Sequence, residues 1–149
     1  MKQIIVPAAE SDLGAVLLLL QQVSLPVAGV ADEFPGDYCV ARLNDEVVGV
    51  AGLESYGEFG LLRSVAVHSS RRGSGLGRLL VEDRLVAARA RELTSVYLLT
   101  TTAAAYFAVF GFKIASRGAA PENIRASLEF QSICPASAVC LVRDLRANE

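Results

Sequence analysis

The heptapeptide RRGSGLG at 71–77 joins a short apolar run, SVAVH, to a segment with helical spacing. Its glycines, Gly73, Gly75 and Gly77, leave main-chain N–H groups uncovered. They fall where a helix begins, so the unpaired amides of the first turn and the positive end of the helix dipole lie beside them. Gly73, Ser74, Gly75, Leu76 and Gly77 therefore read as an anion-binding loop. With Arg71, Arg72 and Arg78 around it, a phosphate or pyrophosphate is the natural guest. The same residues also satisfy a plain turn with solvated arginines. Two familiar phosphate loops do not fit. A P-loop needs Gly-Lys followed by Ser or Thr, and here Arg78 and Leu79 follow Gly77. A dinucleotide fingerprint needs glycine at position 78 and an acid after the next strand, where Thr100 and Thr101 stand.

Other side chains could do chemistry near this loop. Glu54 and Glu58 flank the turn between the third and fourth predicted strands, and Glu54 is the better candidate for a general base. The alternative is a solvated hairpin carboxylate. Arg63 precedes Val65 and Val67 on one strand and shares their face by alternation, so its planar fork could clamp a carboxylate or another oxyanion. The competing reading pairs it with Glu54 or Glu58 across the hairpin. His68, at the strand end, reads as structural. One histidine and three cysteines (Cys39, Cys134, Cys140) without a CxxC pair supply no metal-ligand pattern. No metal is expected, and the cysteines read as small buried hydrophobes.

The elements that must position these residues follow from periodicity. Lys2 to Val6 is a strand ended by Pro7; Ser11 is placed to cap a helix with Leu13, Val16, Leu17 and Leu20 on one face, which Pro26 stops. The segment 27–37 reads as irregular or helical and holds Phe34. Strands YCVARL and VVGVAGLES join at Asn44-Asp45, and a tight connection at YGE leads to LLRSVAVH, an antiparallel meander. A helix over 75–93 follows, with Leu76, Leu79, Leu80, Val86, Ala87, Ala90 and Leu93 near its buried face and Asp83 interrupting it. Strand SVYLLT, a helix over 102–110, strand FKIAS, a helix over about 120–132 and strand AVCLVRDL complete the chain. The expected fold class is α/β (α+β): a mixed, mostly antiparallel sheet flanked by helices, with residues 1–149 as one domain.

Composition narrows the function classes. With 14 basic against 16 acidic side chains the formal net charge is −2, so no global basic field draws in nucleic acid. The longest apolar run, Ala15 to Leu20, is too short to span a bilayer. The opening MKQIIVPAAE lacks the apolar core of a signal peptide, and the cysteine usage suits a reducing compartment, so a cytoplasmic protein is expected.

The pattern Arg72-x-x-Gly75-x-Gly77, preceded by SVAVH and followed by a helix, a strand and the closing Phe-Gly-Phe at 110–112, resembles the signature of the GNAT acetyltransferases in family order. The resemblance covers nearly the whole chain and implies the GNAT fold and acetyl-CoA as co-substrate. It implies that the main chain of Val65, Ala66 and Val67 pairs with the pantetheine arm, that the Val67 N–H polarises the acetyl carbonyl, and that residues Arg72 to Arg78 cradle the pyrophosphate. Family members often protonate the thiolate with a tyrosine in a segment beginning with asparagine. Those positions hold Phe107 and Thr100 here, both on the expected cofactor side, and the neighbouring Tyr106 is turned about 100° away on a helix. Tyr106 is the remaining candidate acid, although a pocket or core aromatic is the simpler role for it. The family's acceptor side falls on Arg63, Glu54 and Phe34.

A narrower resemblance joins LLRSVAV, YLLTTTAAAYFAVFGF and IRASLEFQSICPASAVCL to the small arsenic-operon N-acetyltransferases. LTTTA with its aromatic pair is also similar to the acetyltransferase domain of bacterial N-acetylglutamate synthases. Both imply a small amino-acid-like amine acceptor with acidic groups, an arsenic-containing one included, acetylated by direct attack in a ternary complex. The alternative is a non-catalytic acyl-CoA-binding or regulatory module. Neither nucleic acid nor membrane is an expected partner, and a homodimer is left open.

Overall fold

A computed structural model describes residues 3–133 and 135–146. Seven strands form one mixed sheet in the order β1-β2-β3-β4-β5-β7-β6, flanked by helices. The strands are β1 Gln3–Pro7, β2 Tyr38–Leu43, β3 Glu46–Tyr56, β4 Phe59–Val67, β5 Ser95–Thr100, β6 Lys113–Ala115 and β7 Val139–Asp144. The chain forms two compact units, residues 1–54 with 63–87 and residues 55–62 with 88–149.

In the first unit β1, β2 and β3 are antiparallel. Asn44 (φ 53°) and Asp45 (φ 69°) make the β2–β3 turn in the left-handed region, where Asn and Asp are better tolerated than other side chains and which matches strand twist. The nearly unbroken apolar run of β3 reflects burial on both faces. Val40 and Val50 pack with Val16, Leu19 and Leu20 of α1 (Leu13–Gln22). Their neighbours Cys39, Ala41 and Ala51 point the other way, to Leu76 and Leu80 of α3 (Leu76–Ala90). Gly49 permits that approach: a Cβ there would stand 2.8 Å from Leu80 Cδ1 and 3.3 Å from Ala41 Cβ.

Several expectations about the helices are corrected. The long helix ends at Ala90, and its buried side is Leu76, Leu80, Val81, Arg84, Leu85 and Ala88, while Leu79 and Val86 are exposed. Leu79 and Val86 sit one heptad apart on the outward side, and the polar interruption is resolved by Arg84, which turns inward and takes Asp83 as its partner. Ser11 does not cap α1. A 3-10 turn, Glu10–Asp12, precedes the helix, and α1 ends before Pro26, at a residue preceding left-handed Ser24 (φ 63°). The segment after it contains one helical turn, α2 (Val30–Glu33), anchored by fully buried Val30.

In the second unit β5 runs parallel to the start of β4, pairing Phe59, Gly60 and Leu61 with Ser95, Val96 and Tyr97. The C-terminal β7 inserts between β5 and β6 and is antiparallel to both. The expected helix over 102–110 is shorter, α4 Ala104–Ala108. The expected helix over 120–132 divides into α5 (Glu122–Arg125) and a π turn, Glu129–Ile133. Between them the Ser127 hydroxyl donates to the Ile124 carbonyl, diverting the chain as short polar side chains do. Leu61, Ala120, Ile124, Phe130 and Cys140 form this unit's core. Cys134 lies outside the described residues.

Asp12 ties the start of α1 to the sheet. Its carboxylate accepts from Arg42 Nη1 at 2.8 Å and Nη2 at 2.7 Å and from the Ala9 N–H at 2.8 Å. Burial alone would raise its pKa, but the Arg42 bonds, the amide and the Arg42 charge hold it below 3.8. A depressed carboxylate stabilises the fold above its unfolded pKa, and that contribution disappears as pH falls through the folded value. Asp12→Asn should therefore lose about 1–3 kcal/mol at pH 7. In denaturant titrations the gap from wild type should close as the pH is taken below 3.8.

Candidate functional site

The part of β4 that lies in the first unit is shaped by a bulge. Ser64 has φ 59°, a left-handed conformation inside a strand. That single residue breaks the alternation expected to put Arg63 on the face of Val65 and Val67. Arg63 is instead 4% exposed and turned inward. Its Nη1 donates to Glu54 Oε2 at 3.3 Å, its Nη2 to the Ala28 carbonyl at 2.8 Å, and its Nε to Ser64 Oγ at 3.1 Å. Glu54 is likewise corrected: it is buried in β3 as the partner of Arg63, not solvated at the hairpin tip, which Gly57 and Glu58 form.

Beyond the bulge, Ala66 packs into the α1-side core, and half-buried Val65 and Val67 lie against the α3-side cluster. The ladder to β5 ends at Leu61, so in this unit Val65, Ala66 and Val67 form the outer strand next to β3. Their outward main-chain groups resemble any sheet edge, ready to take an extended partner.

His68 ends the strand and caps the 3-10 turn Ser69–Arg71: its Nδ1 accepts from the Ser70 N–H at 3.1 Å and lies 2.8 Å from Ser70 Oγ. The glycine loop follows. Gly73 (φ 81°) and Gly75 (φ 85°) are left-handed, and a Cβ at either would meet no atom within 4 Å. Glycine is thus required there by backbone conformation, while the space above both residues is open. Leu79 N–H donates to Gly75 O, which makes Gly75 the cap of α3 and leaves the amides of Leu76, Gly77 and Arg78 as the helix's first-turn donors. Arg72 is exposed; Arg78 is exposed and donates to Glu82 at 3.1 Å. Arg71 Nε is buried and lacks a hydrogen-bond partner among the described residues. Open glycines, free helix amides and an orphaned guanidinium nitrogen together suit a large phosphorylated guest.

Phe34 is half-buried at the edge of the α1-side core, its ring 5.3 Å from that of Tyr38. In the second unit Thr100 Oγ1 accepts from the Ala103 N–H at 3.0 Å, capping the approach to α4. Phe107 is buried among Phe110 and Phe112. Tyr106 is 42% exposed and packs edge-on against Phe107 and Phe110. Partial burial raises its hydroxyl above the ordinary value of 10, so it is protonated at neutral pH. Burial likewise raises the Cys140 thiol, and pushes Cys39 up to about 12. Among the described residues no group of three or more His, Cys, Asp or Glu side chains is placed to hold a metal.

Residues 35–114 match the family model of the acetyltransferase (GNAT) domain. The chain belongs to the GNAT acetyltransferase family. Solved structures share the fold across nearly all of it. N-acetylglutamate synthase from Neisseria gonorrhoeae, complexed with coenzyme A and N-acetyl-glutamate, is 20% identical with a TM-score of 0.83, over 97% of this chain. The match covers 35% of that protein, so the present chain spans about a third of its length. Rv2747 from Mycobacterium tuberculosis, in complex with CoA, is 24% identical with a TM-score of 0.79, over 95% of this chain and 99% of that one. A GNAT-family acetyltransferase from Staphylococcus aureus is 15% identical with a TM-score of 0.78, over 97% and 99%.

Sequence reasoning located the GNAT loop but not the bulge, since serine carries no signal for a left-handed strand residue, nor Arg84 as an inward-facing charge. The bulge makes a direct prediction. Ser64→Val places a β-branched side chain at φ 59° and should cost about 1–3 kcal/mol in thermal unfolding. Ser64→Gly relieves that strain but removes the acceptor of Arg63 Nε, and should lower the melting temperature less than Ser64→Val does.

Proposed function

We propose that the protein is an acetyl-CoA-dependent N-acetyltransferase acting on a small primary amine. The observation that carries the reading is the juxtaposition of an outer strand, Val65 to Val67, with an open left-handed glycine loop on the N-terminus of α3. Acetyl-CoA supplies an activated acetyl thioester. The amides of Leu76, Gly77 and Arg78 would hold its pyrophosphate, with Arg71, Arg72, Gly73, Ser74 and Gly75 around it. The outer edge of Val65, Ala66 and Val67 would take the pantetheine arm as an added strand, and the Val67 N–H would polarise the acetyl carbonyl. A neutral amine attacks directly, in a ternary complex.

The acceptor we propose is amino-acid-like and acidic, supported by the glutamate chemistry in the name of the Neisseria synthase and by the LTTTA motif. The motifs shared with arsenic-operon N-acetyltransferases extend the proposal to arsenic-containing acceptors. Free Cys39 and Cys140 suit a reducing, cytoplasmic setting. Glu54 is buried with its carboxylate bonded by Arg63, and we do not propose it as the general base. An amine that loses its proton to water fits better. A second reading, a non-catalytic acyl-CoA-binding module, is favoured by one observation: position 107 is a buried phenylalanine without a proton to give.

Calorimetric titration with acetyl-CoA and a thiol-release assay over an amine panel separate the two. Binding with turnover establishes the enzyme, whereas binding without turnover of any amine establishes the module. Gly75→Val forces a β-branched residue to φ 85° and should weaken acetyl-CoA by about 10- to 100-fold, at the usual strain of such a conformation. Arg72→Ala removes one exposed charge and should weaken it about fivefold or less. Equal affinity in Gly75→Val, with the fold intact, would reject the loop as the donor site.

Tyr106→Phe tests the remaining acid. Turnover should fall only modestly, with the melting temperature held, because the phenol is edge-packed and half-exposed. A loss of about 10²–10⁴-fold in kcat would make Tyr106 the proton donor.

A further inference from the structure

His68 is the one histidine of the sequence, and its ring turns back onto its own chain. Nδ1 accepts from the Ser70 N–H at 3.1 Å and lies 2.8 Å from Ser70 Oγ. A main-chain N–H can donate only to a ring nitrogen that bears no hydrogen, so this contact belongs to the neutral ring with its proton on Nε2. The Ser70 hydroxyl then donates to the same Nδ1. A protonated ring has two donors and no acceptor, and it cannot make the bond to the Ser70 N–H.

The stretch that follows depends on this cap. The turn Ser69–Arg71 leads from the end of β4 to Gly73, and the Arg71 N–H donates to the His68 carbonyl at 2.8 Å. The Arg71 carbonyl accepts from the Ser74 N–H at 3.3 Å and from Ser74 Oγ at 2.5 Å. The capped turn and the glycine loop are therefore linked in series through Arg71, by local bonds. Apart from half-buried Arg71, residues 69–75 are exposed, so no apolar side chain anchors them. Buried Leu76 fixes the far end of the loop, and the capped turn fixes the near end. Loosening one end adds an ordering cost for any ligand that needs the loop in one conformation.

We propose that His68 is a positioning residue for the donor: the neutral ring, by accepting the Ser70 N–H, holds the turn that presents Arg71, Gly73 and Gly75 to acetyl-CoA. The inference rests on the reading of this loop as the acetyl-CoA site, and it applies to an enzyme and to a binding module alike. The charged side chains of the turn are Arg71 and Arg72. On the neighbouring strand Glu46 stands two residues before Val48, whose carbonyl accepts the His68 N–H at 2.8 Å. Both bonds of the ring go to Ser70 and to none of these. Because an imidazole changes charge within the physiological range, donor affinity should fall as the ring protonates.

The test is calorimetric titration of the full chain with acetyl-CoA at about pH 8 and about pH 5.5, on either side of the ordinary imidazole range. At the higher pH His68→Asn, whose Oδ1 can accept the same N–H, should bind within about twofold of wild type. His68→Ala should bind about three- to tenfold more weakly, the usual size of a lost cap. At the lower pH wild type should fall toward His68→Ala, while His68→Asn, which does not titrate, keeps its lead. The ligand's own phosphomonoester titrates near pH 6, so the effect is read as the ratio of wild type to His68→Asn. With one histidine in the sequence, the imidazole C2–H resonance is unambiguous, and its titration midpoint should move to lower pH when acetyl-CoA saturates the wild-type protein. That measurement stands even if a variant fails to fold. A ratio that does not change with pH, or His68→Asn as weak as His68→Ala at the higher pH, would overturn the cap. A midpoint that stays in place or rises on binding would overturn it too, a rise meaning that the cationic ring meets the ligand's phosphates directly. Wild-type protein that binds no acetyl-CoA at either pH removes the donor reading and this inference together. Binding that is equal in wild type and both variants at both pH values rejects the inference alone.

Discussion

The close approach of α3 to β3 is the constraint on which the placement of the glycine loop depends. Gly49 leaves no side chain where Leu80 Cδ1 comes down, and Leu76 and Leu80 fill the space over Cys39, Ala41 and Ala51. Because Leu76 is also the first residue of the helix, packing its side chain fixes the direction in which the first-turn amides point. Between the end of β4 and the start of α3 the chain must reverse within a few residues. The capped turn at His68 and the left-handed glycines 73 and 75 accomplish this. The open glycine loop at the helix start is thus a by-product of docking a helix closely against a sheet that ends beside it.

Charge inside the first unit has a different role from charge on its surface. Asp12 with Arg42 joins the turn before α1 to β2, Glu54 with Arg63 links β3 to β4, and Asp83 with Arg84 pairs neighbours on α3. One member of each pair also bonds a main-chain group: Asp12 the Ala9 N–H, Arg63 the Ala28 carbonyl and Arg84 the Asp37 carbonyl. The exposed pair of Arg78 and Glu82, by contrast, bonds no main-chain group among the described residues. Buried pairs in this protein determine where loops go, which apolar packing, being undirected, would not do.

The second unit reaches the same end through aromatic packing. Tyr106, Phe107, Phe110 and Phe112 interlock edge-on around α4, and Gly111 (φ 88°) lets the chain turn directly into β6. Position 107, where the family often has a catalytic tyrosine, is used here for packing. If the protein transfers acetyl groups, its departing thiolate takes a proton from elsewhere, and acceptors whose own ammonium or bound water can supply one are favoured.

The sequence by itself determined the family, the order of elements and the place of the open glycine loop, because each is written in local terms. Glycines at fixed spacing, an Asn-Asp turn and period-two apolar strands are consequences of backbone sterics that neighbouring residues dictate. It misplaced the buried side of α3, where Leu79 and Val86 look apolar in sequence but face outward, and it split no helix at Ser127. The tertiary structure alone decided what the charged residues do. Alternation placed Arg63 beside Val65 and Val67, but a left-handed serine shifted the strand by one position, and the guanidinium turned to Glu54 and the Ala28 carbonyl. It also decided that β7, the last strand in the chain, lies between β5 and β6. Long-range pairing of this kind depends on the shape of a whole sheet edge, which no stretch of the sequence contains.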